Sequence, residues 1–175
     1  ENDMIVYPIP TYEKDISSIS EKDCYVYGVI LGDGCMNNKD KNGYISLHKE
    51  NKKHILDNVK EYFDSRFIKN RIEINDNTCR LYWCKDVSLP FKYSDIYSNK
   101  EKICHPRWLN LPLNKAKMIL KGLVDTDGTK GNEIVFDSTS YNLIEAVRFI
   151  CMRLGVLTSG YVRDRVGQTH TTSNG

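Results

Sequence analysis

The fold of this 175-residue chain is decided at residues 120–128, which read Leu120-Lys121-Gly122-Leu123-Val124-Asp125-Thr126-Asp127-Gly128. A looser copy comes earlier, at residues 26–34, and reads Val26-Tyr27-Gly28-Val29-Ile30-Leu31-Gly32-Asp33-Gly34. Both copies have a glycine early, a small residue four positions later, and Asp-Gly at the end. Asp33 and Asp127 lie 94 positions apart, so the repeat has the size of half a domain rather than of a solenoid unit.

The spacing of the small residues predicts two helices that pack against each other face to face. Small residues at positions i and i+4 lie on one side of a helix and remove the bulk that normally keeps helix axes about 8–10 Å apart. The predicted interface residues are Gly28, Gly32, Gly122 and Thr126. Each aspartate then lies at a helix C-terminus, and the glycine after it suits the left-handed helix stop.

The two aspartates would lie where a carboxylate is electrostatically unfavourable. A helix C-terminus has a partial negative charge, which costs an Asp there a few tenths to about 1 kcal/mol, and a second carboxylate alongside adds repulsion. The pair therefore predicts a divalent cation. Oxygen ligands favour Mg²⁺, which binds one or two carboxylates and takes its other ligands from water and phosphate. The alternative is that each Asp-Gly only ends a helix, and two matched copies disfavour it.

The paired motifs resemble those of the LAGLIDADG homing endonucleases, specifically those embedded in inteins. Residues 120–128 depart from the family consensus only at Lys121, Val124 and Thr126, and the first copy has Leu31 where the consensus has its first Asp. Two further blocks fit the family, Trp108-Leu109-Asn110-Leu111-Pro112 before the second motif and Leu143 with Leu154-Gly155-Val156 after it. The resemblance extends from Asp23 to Arg165.

The resemblance implies a mixed α/β (α+β) fold of two pseudo-symmetric αββαββα-type halves. These pack through their motif helices, and each half has a twisted antiparallel DNA-binding sheet. We assign residues 1–19 to an extended lead-in, 20–99 to the first half, 100–113 to a linker and 114–175 to the second half. By analogy with the first half, the second one is incomplete, since a strand and a helix are still due after residue 166.

The activity implied is site-specific cleavage of double-stranded DNA, by Mg²⁺-dependent hydrolysis with a staggered cut in a long asymmetric site. A monomer would act as a pseudo-dimer. Asp33 and Asp127 are the expected catalytic metal ligands, joined by the backbone carbonyls of Gly32 and Thr126. Two or three Mg²⁺ ions are expected, and Mn²⁺ could replace them. The family also implies a basic assistant at each site, for which Lys85 is our catalytic candidate, with Arg80 as another.

Alternating polar and apolar residues predict two hairpins in the first half, one over 35–49 with a turn at Asn42-Gly43 and one over 71–84 with a turn at residues 75–77. The core face comprises Ile45, Leu47, Ile72, Ile74, Leu81 and Trp83. A four-stranded antiparallel sheet would leave the opposite, polar face open. In a DNA major groove, Arg can pair with guanine and Glu can accept from cytosine. The predicted DNA-binding residues are Tyr44, Ser46, His48, Arg71, Glu73, Arg80, Tyr82, Lys130, Arg163 and Arg165. For each of them, ordinary solvent exposure is the alternative.

Capping and stop signals predict the remaining elements. Ser20 with Asp23 forms a capping box that opens the first motif helix near Glu21, and Asn114 is a suitable N-cap for the second. Further helices are expected at 52–67, within 87–99 and over 140–154, the last capped by Ser140 and stopped by Gly155. A hairpin is expected at 129–136 and a strand at 160–166.

Composition narrows the class of protein. No run reaches the ~18 apolar residues of a membrane helix. The net charge is only +2, yet residues 37–85 contain eleven basic and seven acidic residues, which indicates a local polyanion-binding face. The six cysteines are scattered, as expected of reduced thiols in an intracellular protein. Half a zinc site at Cys79 and Cys84 is the alternative.

Two other functions fit the same motifs. A LAGLIDADG-type protein could bind nucleic acid without cutting it, as an RNA maturase or a DNA-binding regulator. The chain could also be a degenerate intein insert that has lost activity. Splicing residues are not visible, because the chain begins with Glu1 and ends with Asn174-Gly175. Retention of both aspartates favours the nuclease.

Overall fold

The computed structural model describes residues 9–10, 13–37, 42–84 and 88–163. Within these ranges the helices are α1 (Glu21–Asp33), α2 (Lys53–Ser65), α3 (Tyr93–Ile96), α4 (Pro106–Leu109), α5 (Leu113–Asp127) and α6 (Tyr141–Arg153). The strands are β1 (Gly34–Met36), β2 (Gly43–His48), β3 (Asn70–Asn75), β4 (Thr78–Trp83), β5 (Tyr97–Ser98), β6 (Glu101–Lys102), β7 (Gly128–Lys130) and β8 (Ile134–Phe136). The fold is mixed α/β, as predicted.

Helix α1 begins where the sequence predicts. Ser20 accepts from the Asp23 backbone N–H, and the Asp23 carboxylate accepts in return from the Ser20 backbone, which completes the capping box. The buried Asp23 carboxylate also accepts from Tyr62 at 2.7 Å and from Arg66 at 2.5 Å. All residues from Cys24 to Leu31 are buried, because the helix is apolar on nearly every side. It therefore forms the centre of the molecule and packs against α5.

The first half contains the predicted four-stranded antiparallel sheet, in the order β1-β2-β4-β3. Its core face packs on helices and includes Ile45, Leu47, Leu81 and Trp83, each at most 2% exposed. Ile74 was predicted for the same face but is 60% exposed. It lies on the edge strand β3, one residue from the strand's end, and the core does not extend that far.

The prediction of a turn at Asn42-Gly43 is wrong for Gly43, which lies in a strand. Gly43 is the first residue of β2 and pairs with both Met36 and Trp83. A Cβ at Gly43 would lie 2.3 Å from the Trp83 ring, so this glycine makes room for the indole instead of allowing a turn. Residues 38–41, between β1 and β2 along the chain, lie outside the described residues.

Helix α2 packs an apolar stripe onto the sheet, and Ile55, Leu56, Val59, Tyr62 and Phe63 are all buried. The helix ends at Ser65, two residues before the predicted end. Phe67 has a φ of 57°, which no helical residue adopts.

The segment between the halves contains a small hairpin that the sequence did not predict. A short helix was expected within 87–99, and α3 accounts for only four residues of it. Asn99 and Lys100 adopt φ values of 50° and 68°, which suit a two-residue turn between paired strands. They join β5 to β6. Trp108, on α4, is fully buried and stacks on Tyr27 of α1 at 4.0 Å, which anchors this segment to the core.

The second motif helix starts earlier than predicted. Helix α5 begins at Leu113, and its N-cap is Pro112. The ring of Pro112 holds φ at −49°, which is already close to the helical value. Asn114 therefore lies inside the helix, where its side-chain amide donates to Glu21 at 2.6 Å.

The second half has a two-stranded sheet, β7-β8, in the described residues. Helix α6 is capped by Ser140 and followed by Gly155 at φ 72°, both as predicted. The strand predicted at 160–166 is not formed at residues 160–163, where Tyr161 and Val162 are 80% and 91% exposed. A strand needs a hydrogen-bonded neighbour, and none lies beside these residues in the described structure.

The cysteines lie as free thiols, with Cys24, Cys79, Cys104 and Cys151 buried and Cys35 and Cys84 exposed. No group of three His, Cys, Asp or Glu side chains suited to a metal ion occurs in the described ranges. This finding gives no support to a zinc site at Cys79 and Cys84. Among the helices in those ranges, none is long and apolar enough to cross a membrane.

Candidate active site at the paired helix ends

Helices α1 and α5 cross so closely that their backbones touch. A Cβ added at Gly28 would lie 2.3 Å from the carbonyl oxygen of Ile119, and one at Gly122 would lie 2.4 Å from that of Tyr25. Neither atom can rotate away, because both belong to a helix backbone. The two glycines therefore occupy the contact that the repeated motif predicts.

One turn further along, Gly32 and Thr126 face each other. A Cβ at Gly32 would lie 2.0 Å from Thr126 Oγ1 and 3.2 Å from Asp127 Oδ2. The Thr126 hydroxyl lies 3.0 Å and 2.9 Å from the carbonyl oxygens of Gly122 and Leu123 in its own helix. The Asp127 carboxylate thus lies beside the α1 backbone next to Asp33. The crossing brings the two aspartates together at adjoining helix ends. The left-handed stop predicted at the following glycines is wrong, because Gly34 and Gly128 are extended, at φ −92° and −93°, and lead directly into β1 and β7.

A lysine bridges these ends. Lys52 Nζ donates to Asp33 Oδ2 at 2.7 Å and to the Thr126 carbonyl oxygen at 2.5 Å. It stands immediately before α2, so one ammonium connects α2 to the C-termini of α1 and α5. Helix-terminal carbonyls lack partners within their own helix, and the ammonium supplies one.

A second lysine reaches the same place from the β5–β6 hairpin. Lys102 Nζ donates to the carbonyl oxygen of Gly32. Burial lowers the pKa of Lys102, while the charges of Asp127 and Asp33 act in the opposite direction. Burial raises the pKa of Asp127, the Asp33 charge raises it further, and Lys102 and Lys52 oppose the increase. Two carboxylates and two ammonium groups therefore form one partly buried, mutually dependent cluster.

The sequence did not single out either lysine. The predicted assistant Lys85 lies outside the described residues, and the other candidate, Arg80, lies on β4 in the sheet. The position of Lys52 in the sequence could have indicated a functional role. A cation just before a helix is electrostatically unfavourable and therefore needs another explanation. Lys102 had no such signal.

The atoms at the helix ends suit a hard cation. The Asp33 carboxylate and the carbonyls of Gly32 and Thr126 already accept from ammonium groups, and the Asp127 carboxylate lies alongside. All four are oxygen donors, as Mg²⁺ and Ca²⁺ prefer. Two carboxylates are fewer than the three side chains of a closed metal site, but Mg²⁺ regularly uses one or two together with water and phosphate.

The polar face of the sheet forms cross-strand rows. In one row Tyr44 and Arg71 flank Tyr82, and in the next Ser46 and Glu73 flank Arg80. The Arg71 guanidinium lies 4.8 Å from the centre of the Tyr82 ring, and that of Arg80 lies 5.7 Å from the Tyr44 ring. Arg71 also pairs with Glu73 at 2.9 Å. Such stacking holds the guanidinium groups in place on an open surface.

The remaining predicted contact residues are more scattered. His48 is exposed at the end of β2, where its Nδ1 lies 3.3 Å from the backbone nitrogens of Glu50 and Asn51. Arg163 is exposed and donates to the Tyr161 hydroxyl at 2.8 Å. Lys130 lies on β7, and Arg165 lies outside the described residues. Among the residues that the structure describes, one coherent polar face comes together in the first half, and none does in the second.

Comparison with known proteins agrees with this architecture. Residues 114–174 match the family described as LAGLIDADG-like domain. Mesophilic variants of the homing endonuclease I-DmoI give a TM-score of 0.65 over 86% of both chains at 18% identity. I-DmoI in complex with DNA and Mn gives 0.63 over 85% of both chains, and the complex with DNA and Ca gives 0.59 over 79% of this chain and 74% of that one, each at 19% identity. The resemblance drawn from the motifs is confirmed at the level of the fold.

One curated relative is the ATP-dependent DNA helicase Hel308 of Methanocaldococcus jannaschii, 27% identical over 155 residues. The match covers 84% of this chain but only 12% of the helicase. The chain therefore spans about one eighth of the length of the helicase that it matches.

Proposed function

The chain has the LAGLIDADG homing endonuclease fold, and we propose that it is a site-specific endonuclease that cuts both strands of a DNA duplex. The observation behind this proposal is the placement of Asp33 and Asp127 at two touching helix C-termini. A carboxylate there is unfavourable for stability, and a second one makes it worse. A pair retained in such a place is better explained by chemistry than by folding.

The candidate ligands for Mg²⁺ are the carboxylates of Asp33 and Asp127 and the carbonyl oxygens of Gly32 and Thr126. When bound, Mg²⁺ would lower the pKa of a water molecule and stabilise the leaving 3′ oxygen. The relatives crystallised with Mn, Mg and Ca support a divalent ion, and Mn²⁺ is the expected substitute. We expect two or three ions, with one cut in each strand and a staggered product.

Lys52 and Lys102 are the proposed basic groups, in place of the earlier candidates Lys85 and Arg80. Both ammonium groups lie against the same helix-end oxygens. An ammonium at this position can bind a phosphate oxygen of the backbone and offset the negative charge that develops on it. Lysine suits the task because it is a compact point charge with three donors.

The polar face of the β1-β2-β4-β3 sheet is the proposed DNA-binding surface. Arg71 and Arg80 are the candidate base-reading residues, because they project from neighbouring strands beside Glu73 and can pair bidentately with guanine in the major groove. Tyr44, Tyr82, Ser46 and His48 complete this face, and Lys130, Arg163 and Arg165 are proposed contacts from the second half. One chain with two unequal halves would read a long asymmetric site.

The protein context is also a proposal. A match that covers 12% of a much longer helicase fits a nuclease that is carried as an insert within a host protein, as inteins are. The division into a lead-in at 1–19, halves at 20–99 and 114–175, and a linker at 100–113 remains a prediction. A DNA-cutting enzyme of this kind would work inside the cell.

A plasmid cleavage assay tests the proposal. A library of genomic fragments in supercoiled plasmids would be incubated with the protein and Mg²⁺, and linearised plasmids would be recovered and sequenced. We expect a single recurrent site, no cutting in EDTA, and no cutting by Asp33→Asn or Asp127→Asn. Duplex binding without any cut in Mg²⁺ or Mn²⁺ would favour the non-cleaving alternative, an RNA maturase or DNA-binding regulator.

A further inference from the structure

The ammonium of Lys52 lies among the oxygens that we assign to a divalent cation. It contacts Asp33 Oδ2 at 2.7 Å on the first motif helix and the Thr126 carbonyl at 2.5 Å on the second. We propose that Lys52 is a tethered cation that joins the two helix ends in the metal-free protein and competes with divalent cations for the same atoms. The inference rests on the cation site of the proposed function but not on DNA cleavage.

Three features of the contact support this role. The acceptors come from different halves of the chain, 19 and 74 positions from Lys52, so the bridge links elements that nothing in the local sequence joins. The side chains of Lys52 and Asp33 are only 27% and 22% exposed, so salt screens their charges less than those of a surface pair. The acceptors are a carboxylate and a helix C-terminal carbonyl, which both favour a cation.

A competition follows from this geometry. The Asp33 carboxylate has more than one acceptor site, but an ammonium and a divalent cation held by the same carboxylate and carbonyl repel each other at close range. Binding of Mg²⁺ therefore requires Lys52 to leave. The affinity of the DNA-free protein for divalent ions is lowered as a result, and a DNA phosphate could accept the displaced ammonium.

Thermodynamic linkage makes the effect reciprocal. If Lys52 opposes the ion in free protein but pairs with phosphate in the complex, then DNA raises ion affinity and the ion raises DNA affinity by the same factor. Lys52 would then keep divalent cations out of the site until the DNA duplex is bound.

The test uses protein without DNA, so that cleavage plays no part in it. Lys52→Met removes the charge and keeps most of the side-chain length, and Lys53→Met is the matched control at the next, exposed position. Ca²⁺ binding would be measured by isothermal titration calorimetry, and stability by urea unfolding in EDTA and in Ca²⁺. We expect Lys52→Met to bind Ca²⁺ at least tenfold more tightly than wild type. Its unfolding midpoint should fall in EDTA and recover in saturating Ca²⁺, while Lys53→Met matches wild type.

A second measurement on wild type covers the case in which Lys52→Met does not fold. Reductive methylation followed by mass spectrometry reports how accessible each lysine is. We expect Ca²⁺ to increase labelling of Lys52 and to leave that of Lys53 unchanged. Equal Ca²⁺ affinity in both variants, or Lys52 labelling unaffected by saturating Ca²⁺, would overturn the proposal. If the wild-type protein shows no DNA cleavage in the plasmid assay, the proposed function fails, but the Ca²⁺ results for Lys52 are unaffected.

Discussion

Gly122→Ala tests the helix crossing on which the whole site depends. The added Cβ would lie 2.4 Å from the carbonyl oxygen of Tyr25, 2.7 Å from the nitrogen of Val29 and 2.9 Å from the carbonyl carbon of Gly28. Unstrained non-bonded atoms lie about 3.5–4.0 Å apart, so the helices must separate by roughly 1 Å. Because all three neighbours are backbone atoms of α1, no side chain can move aside to relieve the contact.

Two effects of opposite sign determine how much Gly122→Ala changes the free energy of unfolding. Overpacking costs about 1–3 kcal/mol, and a rigid backbone contact belongs at the upper end of that range. Replacing Gly by Ala inside a helix gains about 1 kcal/mol in propensity. We therefore expect a net loss of roughly 2 kcal/mol, which corresponds to a melting temperature lower by about 4–8 °C for a domain of this size.

Urea unfolding followed by circular dichroism gives the stability, and the plasmid assay gives the activity. Gly131→Ala is the control for an added methyl group, since the nearest atom to its Cβ would be 3.9 Å away. We expect the control to unfold like wild type, and Gly122→Ala to lose cleavage because Asp33 and Asp127 move apart. An unfolding midpoint that rises in Gly122→Ala would refute the argument, since it would mean that the glycine faces open space.

Three further predictions concern the nuclease and its DNA. Asp127→Asn should abolish cleavage in the plasmid assay yet leave duplex binding in Ca²⁺ within about tenfold, or about 1.4 kcal/mol; unchanged cutting would remove Asp127 from the site. Duplex affinity should fall steeply with salt, since several phosphates must be neutralised, and a flat dependence in fluorescence anisotropy would argue against the sheet as a DNA surface. Arg71→Ala and Arg80→Ala should each weaken DNA binding by roughly 5- to 150-fold and relax the sequence preference at a few base pairs. The control Arg148→Ala, at an exposed position on α6, should do neither. Uniform weakening on all DNA sequences would indicate that the arginine contacts phosphate alone.

Local patterns were enough to predict much of the fold. The capping box of α1, the Ser140 cap of α6 and the alternation along β2 and β4 each depend on neighbouring residues, and such short-range preferences act wherever the chain is placed. The motif glycines also belong to this group, because a small residue at i and i+4 limits what can pack against a helix. Two of the errors arose where packing against distant parts of the chain decided the outcome. Gly43 packs under Trp83, and Ile74 lies on a strand end that the core does not reach.

The sequence by itself determined that two glycine-faced helices would meet and that two aspartates would end them. It could not determine what neutralises those aspartates. Lys52 and Lys102 lie 19 and 70 positions along the chain from the α1 residues that they contact, and no local pattern indicates which acceptors either ammonium group reaches. Only the tertiary structure brings their ammonium groups to Asp33 and to the Gly32 and Thr126 carbonyls, because charge pairing in a partly buried site depends on distance in space and not on distance along the chain.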